Sequence, residues 1–210
     1  MATRKWRSPA CRYPASPGCA SACRPAAISA ACGVNGDGLA CLYVGRLAPE
    51  KNLALVRRAF AEIRLRHPQA RMVWVGGGPA AAALARAHRD HHFAGVRIGE
   101  ELAAHYASAD LFLFPSLTET YGNVVAEAMA SGVPVVAYRS AAAELIVDRE
   151  NGAIAAPGDE NAYIAAALGL LEAAGGLAGI AAAARATMLP CGWANVVECF
   201  EGVAREAIAA

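Results

Sequence analysis

Residues 111–132 read LFLFPSLTETYGNVVAEAMASG, and this stretch decides the fold. Leu111–Phe114 is wholly apolar and predicts a buried strand, which the following Pro-Ser pair ends. Asn123–Ser131 then has apolar residues at helical spacing. A strand, a loop and a helix in this order form one unit of a parallel α/β sheet. Glu119 and Glu127 stand eight positions apart across the loop, at the end of the strand where such sheets bind ligands.

The two glutamates across this loop predict a ligand site. Carboxylates accept hydrogen bonds from sugar hydroxyls, and Glu119 would reach a ligand from the loop while Glu127 would reach it from the second turn of the helix. Backbone N–H groups near Tyr121, Gly122 and Asn123 lack helical acceptors and could face an anion. The alternative interpretation is a pair of solvated glutamates near the start of a helix.

The pattern of this unit repeats along the chain from Leu39 onward. Short apolar runs alternate with amphipathic segments, which is typical of βα units. Strands are expected at about Ala40–Gly45, Arg71–Val75, Val96–Ile98, Leu111–Phe114, Val135–Tyr138 and Ala153–Ala155. Helices are expected at about Asn52–His67, Ala80–Arg89, Glu100–Ser108, Asn123–Ser131, Ala141–Val147 and Glu160–Ala173. Six strands with right-handed crossovers predict the α/β class, as a doubly wound parallel Rossmann-like sheet.

The beginning of the chain differs from the rest. Residues 1–38 are rich in Pro, Cys, Ala and Arg and have almost no periodic apolar pattern, which favours a disordered or non-homologous lead-in. Residues 39–210 are enough for one domain. The chain is 56% hydrophobic, but no uninterrupted apolar stretch approaches the ~20 residues that span a bilayer. Because the seven cysteines are irregularly spaced and a secretory signal is absent, we expect a soluble, cytoplasmic chain with reduced thiols.

Charge and histidine spacing argue against two classes of site. The net charge is +1, and the excess of Lys and Arg lies in the lead-in rather than in the domain, so no nucleic-acid-binding surface is expected. None of the histidines has a metal partner at ligand spacing, and they are expected to be surface or capping residues. Trp74 and Tyr106 are expected to belong to the core.

Two cations flank the first predicted strand–helix loop. Arg46 follows the first strand and Lys51 precedes the first helix, so both lie at the carboxyl end of the sheet. Arg46 offers a planar fork of donors and Lys51 a compact charge, and the nearby helix N-terminus adds partial positive charge. This combination suits a diphosphate. The alternative is an ordinary surface arginine and lysine.

The run Gly76-Gly77-Gly78-Pro79 follows the second predicted strand. Absent side chains there would let a ligand or another backbone approach closely, so Gly78 is a candidate ligand contact. With Ala81 the run also matches G-x-G-x-x-A, and Glu100 or Glu101 lies about twenty residues further on. An NAD(P)-binding Rossmann oxidoreductase domain is therefore the alternative. Against it, the run does not follow the first strand, and the cations and the glutamates stay unexplained.

Taken together, these residues resemble the retaining nucleotide-sugar glycosyltransferases of the GT-B fold, specifically family 4, also called glycosyl transferases group 1. The resemblance covers roughly Leu42–Leu171 and is to the C-terminal, donor-binding half of that fold. It rests on the order and spacing of Val44–Asn52, Val75–Pro79, Gly99–Leu102, Tyr106–Asp110, Pro115-Ser116, Glu119–Gly122 and Glu127–Gly132.

The resemblance implies a role for each charged candidate. Arg46 and Lys51 would bind the donor diphosphate and stabilise it as it leaves. Glu119 would contact the transferred sugar, and Glu127 would hold the ribose hydroxyls. These residues would make the chain part of an enzyme that transfers a hexose to an acceptor hydroxyl with retention of configuration.

The resemblance also implies how the rest of the donor is held. Backbone groups around Gly122 would approach the sugar-phosphate, and the region Val96–Glu101 would line the base pocket. The donor would be a GDP- or UDP-linked sugar. No cofactor and no metal are implied, because protein cations and amides stabilise the leaving diphosphate in this family.

A complete GT-B enzyme has two Rossmann-like domains, and the resemblance covers one of them. Since residues 1–38 cannot form the other, we expect a truncated or frame-shifted chain that is weak or inactive alone. A non-catalytic nucleotide-binding remnant is a further alternative. The missing N-terminal domain would choose the acceptor, which could be a lipid, a glycan or a small molecule, and could associate peripherally with a membrane. The closing stretch Cys191–Ala210 predicts a helix whose apolar stripe is partly exposed.

Overall fold

The computed structural model describes residues 38–117, 122–140, 143–174 and 176–192, together with 195, 197–198, 200–202 and 204–205. The lead-in predicted for residues 1–38 lies outside the described residues except for Gly38. Its boundary therefore stays a prediction.

Strands and helices alternate along the described part of the chain. The strands are β1 Ala40–Val44, β2 Arg71–Val75, β3 His92–Gly95, β4 Leu111–Phe114, β5 Val135–Tyr138 and β6 Gly152–Ala155. The helices are α1 Leu53–Arg66, α2 Ala81–Ala87, α3 Gly99–Ala107, α4 Asn123–Ala130, α5 Glu160–Leu171 and α6 Gly176–Met188. Short 3-10 turns cover Pro49–Lys51 and Leu189–Cys191.

The strands form one six-stranded sheet in the order β3-β2-β1-β4-β5-β6. Each neighbouring pair is parallel. The chain builds outward from β1 to β3 in one direction, then returns to place β4 on the other side of β1. This reversal makes the carboxyl ends of β1 and β4 a topological switch point, where open α/β sheets bind ligands. The predicted fold class, a doubly wound parallel sheet, is confirmed.

The central strands explain why the sheet is covered on both faces. Every residue of β1 and β4 is buried, as expected for strands between two helical layers. Because successive side chains point to opposite faces, Tyr43 and Leu113 join a core cluster with α1 and α5. Leu42 and Phe112 join a second cluster with α3 and α4. Charged side chains are therefore absent from these two strands, and the charged candidates lie beyond the strand ends.

The position predicted for the third strand was wrong. Val96–Ile98 was expected to form it, but the strand is His92–Gly95, and Val96 and Ile98 are 71% and 77% exposed. The ring of Phe93 stacks on Trp74 of β2 at 6.0 Å between centroids. Aromatic packing thus selects a segment that begins with a histidine, and the more apolar run falls in the loop beyond it.

The helix predicted at Ala141–Val147 is not found among residues 143–147, which form turns instead. The buried side chain of Asn151 ties this segment down. Its Oδ1 accepts from the backbone N–H of Val147 at 2.8 Å, and its Nδ2 donates to the carbonyl of Leu145 at 3.0 Å. These bonds satisfy the backbone groups that a helix would otherwise pair, so the turn competes with the helix.

The helix α6 was not predicted from the sequence. Its residues Ile180 and Ala184 are buried, and the helix packs mainly against α4. The Oγ1 of Thr187 accepts a hydrogen bond from the Nδ2 of Asn151 at 2.9 Å, which joins α6 to the turn before β6. The remaining predicted helices begin and end within two residues of their observed bounds.

Beyond residue 192 the described positions of the closing segment are helical. Val197 and Phe200 are 50% and 74% exposed there, in agreement with the predicted partly exposed stripe. Trp193, Val196 and Val203 lie outside the described residues. In the part of the chain that the structure covers, no single helix is long and apolar enough to cross a membrane. The pair Glu160–Leu171 and Gly176–Cys191, bent by 104°, passes that test together by length and composition only.

Candidate functional site

A cavity of about 170 Å³ opens at the switch point between β1 and β4. The end of β1 and the end of β4 form its floor, and the loop after β1 and the first turn of α4 form its sides. The lining residues are Tyr43, Val44, Gly45, Arg46, Lys51, Phe114, Gly122, Asn123 and Val124. The structure thus brings together two cations and a helix N-terminus from separate βα units.

Arg46 lies at the mouth of this cavity. Its side chain is 65% exposed, and its guanidinium is 3.5 Å from Glu50 Oε1, an ion pair too exposed to hold it firmly. Its backbone is held more closely, because the hydroxyl of Tyr43 donates to the Arg46 carbonyl at 3.2 Å. Lys51 ends the 3-10 turn that follows and is half-buried. An anion in the cavity would meet both cations.

The glycine run after β2 packs against the loop that carries Arg46. A Cβ on Gly76 would lie 2.0 Å from the carbonyl oxygen of Gly45, and one on Gly78 would lie 2.5 Å from that of Leu47. The N–H of Leu47 also donates to the carbonyl of Gly77 at 2.8 Å. The glycines therefore permit a close approach of two backbones. The prediction that Gly78 contacts a ligand stays a prediction.

The first turn of α4 supplies the third part of the cavity. Gly122 is its N-cap, and the Gly122 carbonyl accepts from Val125 at 2.8 Å and from Ala126 at 3.1 Å. The first two helical N–H groups, those of Asn123 and Val124, precede any helical acceptor by geometry, and the helix dipole adds partial positive charge at this end. Asn123 is exposed and lines the cavity. These groups extend the positive side of the cavity to α4.

Glu127 lies one turn beyond Asn123 on the exposed face of α4. The hydroxyl of Tyr106 donates to its Oε2 at 2.9 Å. Tyr106 is only 2% exposed. Burial, and next the charge of Glu127, raise the pKa of the Tyr106 phenol far above its usual range, so this group remains a donor. The expectation that Tyr106 belongs to the core is met by its ring, but sequence reasoning missed the contact of its hydroxyl.

Two other predictions about the site stand without a structural test. Glu119 and Tyr121 lie outside the described residues, so the contact of Glu119 with a sugar stays a prediction. Val96 and Ile98 are exposed after β3, which leaves the predicted base pocket at Val96–Glu101 open to a ligand. Its role likewise stays a prediction.

The structure also contains a larger groove away from the strand ends. It has a volume of about 340 Å³ and lies between α1 and α5. Its lining residues are Arg58, Ala61, Glu62, Asn161, Ile164, Ala165 and Leu168. Arg58 forms an ion pair with Glu160 beside it. The smaller cavity is the better candidate site, because it lies at the switch point and is lined by both Arg46 and Lys51.

One group in the described part of the chain has the composition of a metal site. Ligand atoms of His88, Asp90 and His91 lie within 4.8 Å of one another. However, Trp74 Nε1 donates to His91 Nδ1 at 3.1 Å, and the guanidinium of Arg57 lies 2.9 Å from His88 Nε2. These donors occupy the lone pairs that a metal would need. The group also lies at the amino end of the sheet, opposite the cavity.

A family model described as glycosyl transferases group 1 matches residues 38–173. D-inositol 3-phosphate glycosyltransferase 2 of Catenulispora acidiphila is 35% identical over 158 residues, which are 67% of this chain and 37% of that protein. The GDP-mannose-dependent alpha-(1-6)-phosphatidylinositol monomannoside mannosyltransferase of Mycolicibacterium smegmatis is 37% identical over 150 residues, 65% of this chain and 39% of that protein. The chain thus spans about two fifths of the length of these curated relatives.

The solved structure of Alr3699/HepE from Anabaena in complex with UDP has the same fold. Its TM-score is 0.70 at 24% identity, and the likeness covers 90% of this chain and 54% of that one. These matches give no support to the oxidoreductase alternative, in agreement with a glycine run that follows β2 instead of β1. The chain belongs to the glycosyl transferases group 1 family.

Proposed function

We propose that this chain is the donor-binding part of a retaining glycosyltransferase, which moves a hexose from a nucleotide diphosphate sugar to an acceptor hydroxyl. The observation that carries the proposal is the cavity at the ends of β1 and β4. Arg46, Lys51 and the first turn of α4 line it together. Two cations and a helix N-terminus around one small volume suit an anion such as a diphosphate.

The diphosphate would lie between the loop after β1 and the start of α4. Negative charge grows on its oxygens as the bond to the sugar breaks. Arg46 and Lys51 would stabilise that charge, together with the N–H groups at Gly122 and Asn123, because these donors are already in place before the bond breaks. Protein cations and N–H groups would thus stabilise the leaving diphosphate.

The two glutamates would hold the parts of the donor on either side of the diphosphate. Glu127 would accept hydrogen bonds from the ribose hydroxyls, and Glu119 would contact the transferred sugar. The acceptor hydroxyl would attack the anomeric carbon on the face that the diphosphate leaves, so the configuration would be retained. The hydroxyl proton would pass to the departing diphosphate on that same face.

Names of similar proteins support a choice of donors to test. One relative from Mycolicibacterium smegmatis is named as GDP-mannose-dependent, and the solved structures include Alr3699/HepE with UDP-glucose. We infer a GDP- or UDP-linked donor, with GDP-mannose as the first one to test. The acceptor would be a lipid, a glycan or a small molecule. The same proposal places the reaction in the cytoplasm, with any membrane association made through a companion domain.

Calorimetric titration of the chain with GDP, UDP and NAD⁺ tests this proposal. The chain should bind GDP or UDP more tightly than NAD⁺. Arg46→Ala should weaken binding of the diphosphate by about tenfold or more, since it removes charge-assisted hydrogen bonds of roughly 1.5–3 kcal/mol. The matched control is Arg86→Ala. Arg86 is an exposed arginine in the last turn of α2, at the amino end of the sheet and away from the cavity.

Two results would contradict the proposal. One is tighter binding of NAD⁺ than of either nucleoside diphosphate, which would favour the oxidoreductase alternative. The other is equal loss of binding in Arg46→Ala and Arg86→Ala, which would mean that the cavity at the switch point does not hold the phosphates.

A further inference from the structure

The contact between Tyr106 and Glu127 joins the core to the exposed face of α4. The ring of Tyr106 is buried between α3 and the sheet, with its centroid 6.0 Å from that of Phe112 in β4. Phe112 is fully buried. The position of the Tyr106 hydroxyl is therefore set by the core, since a packed aromatic ring with two torsion angles has little freedom.

Glu127, in contrast, stands on an exposed helix surface. A free glutamate there would sample many rotamers, and fixing it costs side-chain entropy. The Tyr106 hydroxyl, 2.9 Å from Oε2, favours one orientation of the carboxylate before any ligand binds. It also uses one acceptor site of Oε2 and leaves Oε1 for other donors.

We propose that Tyr106 is a positioning residue that orients Glu127 for the ribose hydroxyls of the nucleotide. This inference rests on the proposed function, in which Glu127 holds the ribose. A carboxylate with one oxygen anchored by the protein can turn its other oxygen toward a diol without losing further entropy. Tyr106 itself would not touch the ligand.

A different explanation is that the hydroxyl of Tyr106 only needs an acceptor because it is buried. Loss of the hydroxyl would then change stability and affect the binding of every nucleotide alike. A positioning role instead predicts a loss confined to ligands that carry the ribose hydroxyls. Ribose-dependent binding therefore distinguishes the two explanations.

The test compares GDP and UDP with their 2′-deoxy and 3′-deoxy analogues by titration of the full chain. The original chain should prefer the ribonucleotide by about tenfold. Tyr106→Phe should weaken binding of the ribonucleotide at least threefold. It should not change the affinity for the deoxy analogue that lacks the recognised hydroxyl. In a Glu127→Ala background, Tyr106→Phe should have no further effect on the preference.

The matched control is Tyr163→Phe. Tyr163 is fully buried and its hydroxyl donates to the carbonyl of Val136 at 3.1 Å, on the other face of the sheet. This variant also loses one buried hydroxyl, and it should keep the full preference for the ribonucleotide. Thermal unfolding of both variants separates loss of stability from loss of recognition.

The outcomes separate failure of this inference from failure of the proposed function. If the original chain binds no nucleoside diphosphate, or binds ribo and deoxy forms equally, the role of Glu127 fails and the role of Tyr106 fails with it. If the preference disappears in Glu127→Ala but persists in Tyr106→Phe, only the positioning role is overturned. An equal loss for both ligand forms in Tyr106→Phe would likewise overturn it.

Discussion

Single hydrogen bonds from buried tyrosines place the groups around the cavity. Tyr43 donates to the carbonyl of Arg46, and Tyr106 donates to the carboxylate of Glu127. Both rings are at most 2% exposed, so each hydroxyl is held by the packing of the core. The positions of the Arg46 loop and of the Glu127 carboxylate therefore depend on tyrosine rings that are packed in the core.

A titrating group lies at the opposite end of the sheet. Burial lowers the pKa of His91 from 6.5 to about 4. An unfolded chain would take up a proton at His91 between these values, whereas the folded chain would not, so its contribution to stability is present above pH 6.5 and is lost as the pH falls toward 4. The pKa of the neighbouring Asp90 is lowered by its hydrogen bond from Arg64, so it titrates below this window.

We expect the melting temperature to fall between pH 7 and pH 4.5, and His91→Asn to flatten part of that fall, because asparagine offers Trp74 an acceptor that does not titrate. Thermal unfolding followed by circular dichroism at several pH values measures the effect. The histidines that do not contact His91 are the same in both proteins and cancel in the comparison. An identical pH dependence in both would show that His91 does not couple protonation to unfolding.

At the scale of elements, the loop after β1 is supported by the glycine run after β2. Gly76 has φ +133 and no room for a Cβ. The short distance to the carbonyl of Gly45 means that any side chain would push the Arg46 loop away from its position. This arrangement makes two βα loops one unit, with the cations on one and the support on the other.

Gly76→Ala should therefore destabilise the chain by about 2 kcal/mol or more, because it combines a backbone clash with an unfavourable φ. It should also weaken binding of the diphosphate. Urea unfolding gives the first quantity and titration the second. The control is Gly158→Ala, since Gly158 has φ +79 but nothing within 4 Å of a Cβ. If Gly76→Ala cost no more than this control, the packing of the two loops would not matter.

Sequence patterns predicted the elements where hydrophobic periodicity was strong. The runs Leu111–Phe114 and Val135–Tyr138 are strands as expected. The error at β3 arose because Val96 and Ile98 look like a strand in isolation, while Trp74 and Phe93 decide the pairing through a contact between distant residues. The contact of Tyr106 with Glu127 likewise spans 21 positions, which no local pattern reports.

At the scale of the whole molecule, the order of βα units was enough to predict the doubly wound sheet, and it also indicates the edge at which we expect a ligand. A right-handed crossover leaves few alternatives once strands and helices alternate. The missed helix α6 is rich in alanine on all its faces, so its buried stripe has little contrast in the sequence. The charged candidates could be predicted because their positions follow strand ends, whereas their support by buried hydroxyls depends on packing.

The central claim is that a nucleoside diphosphate binds where β1 and β4 end. Titration of the ¹⁵N-labelled chain with GDP and UDP, followed by amide chemical shifts, locates the ligand directly. We predict that the largest shifts cluster at Gly45–Lys51 and Gly122–Glu127. Shifts centred on the groove between α1 and α5, or on no single site, would contradict the account.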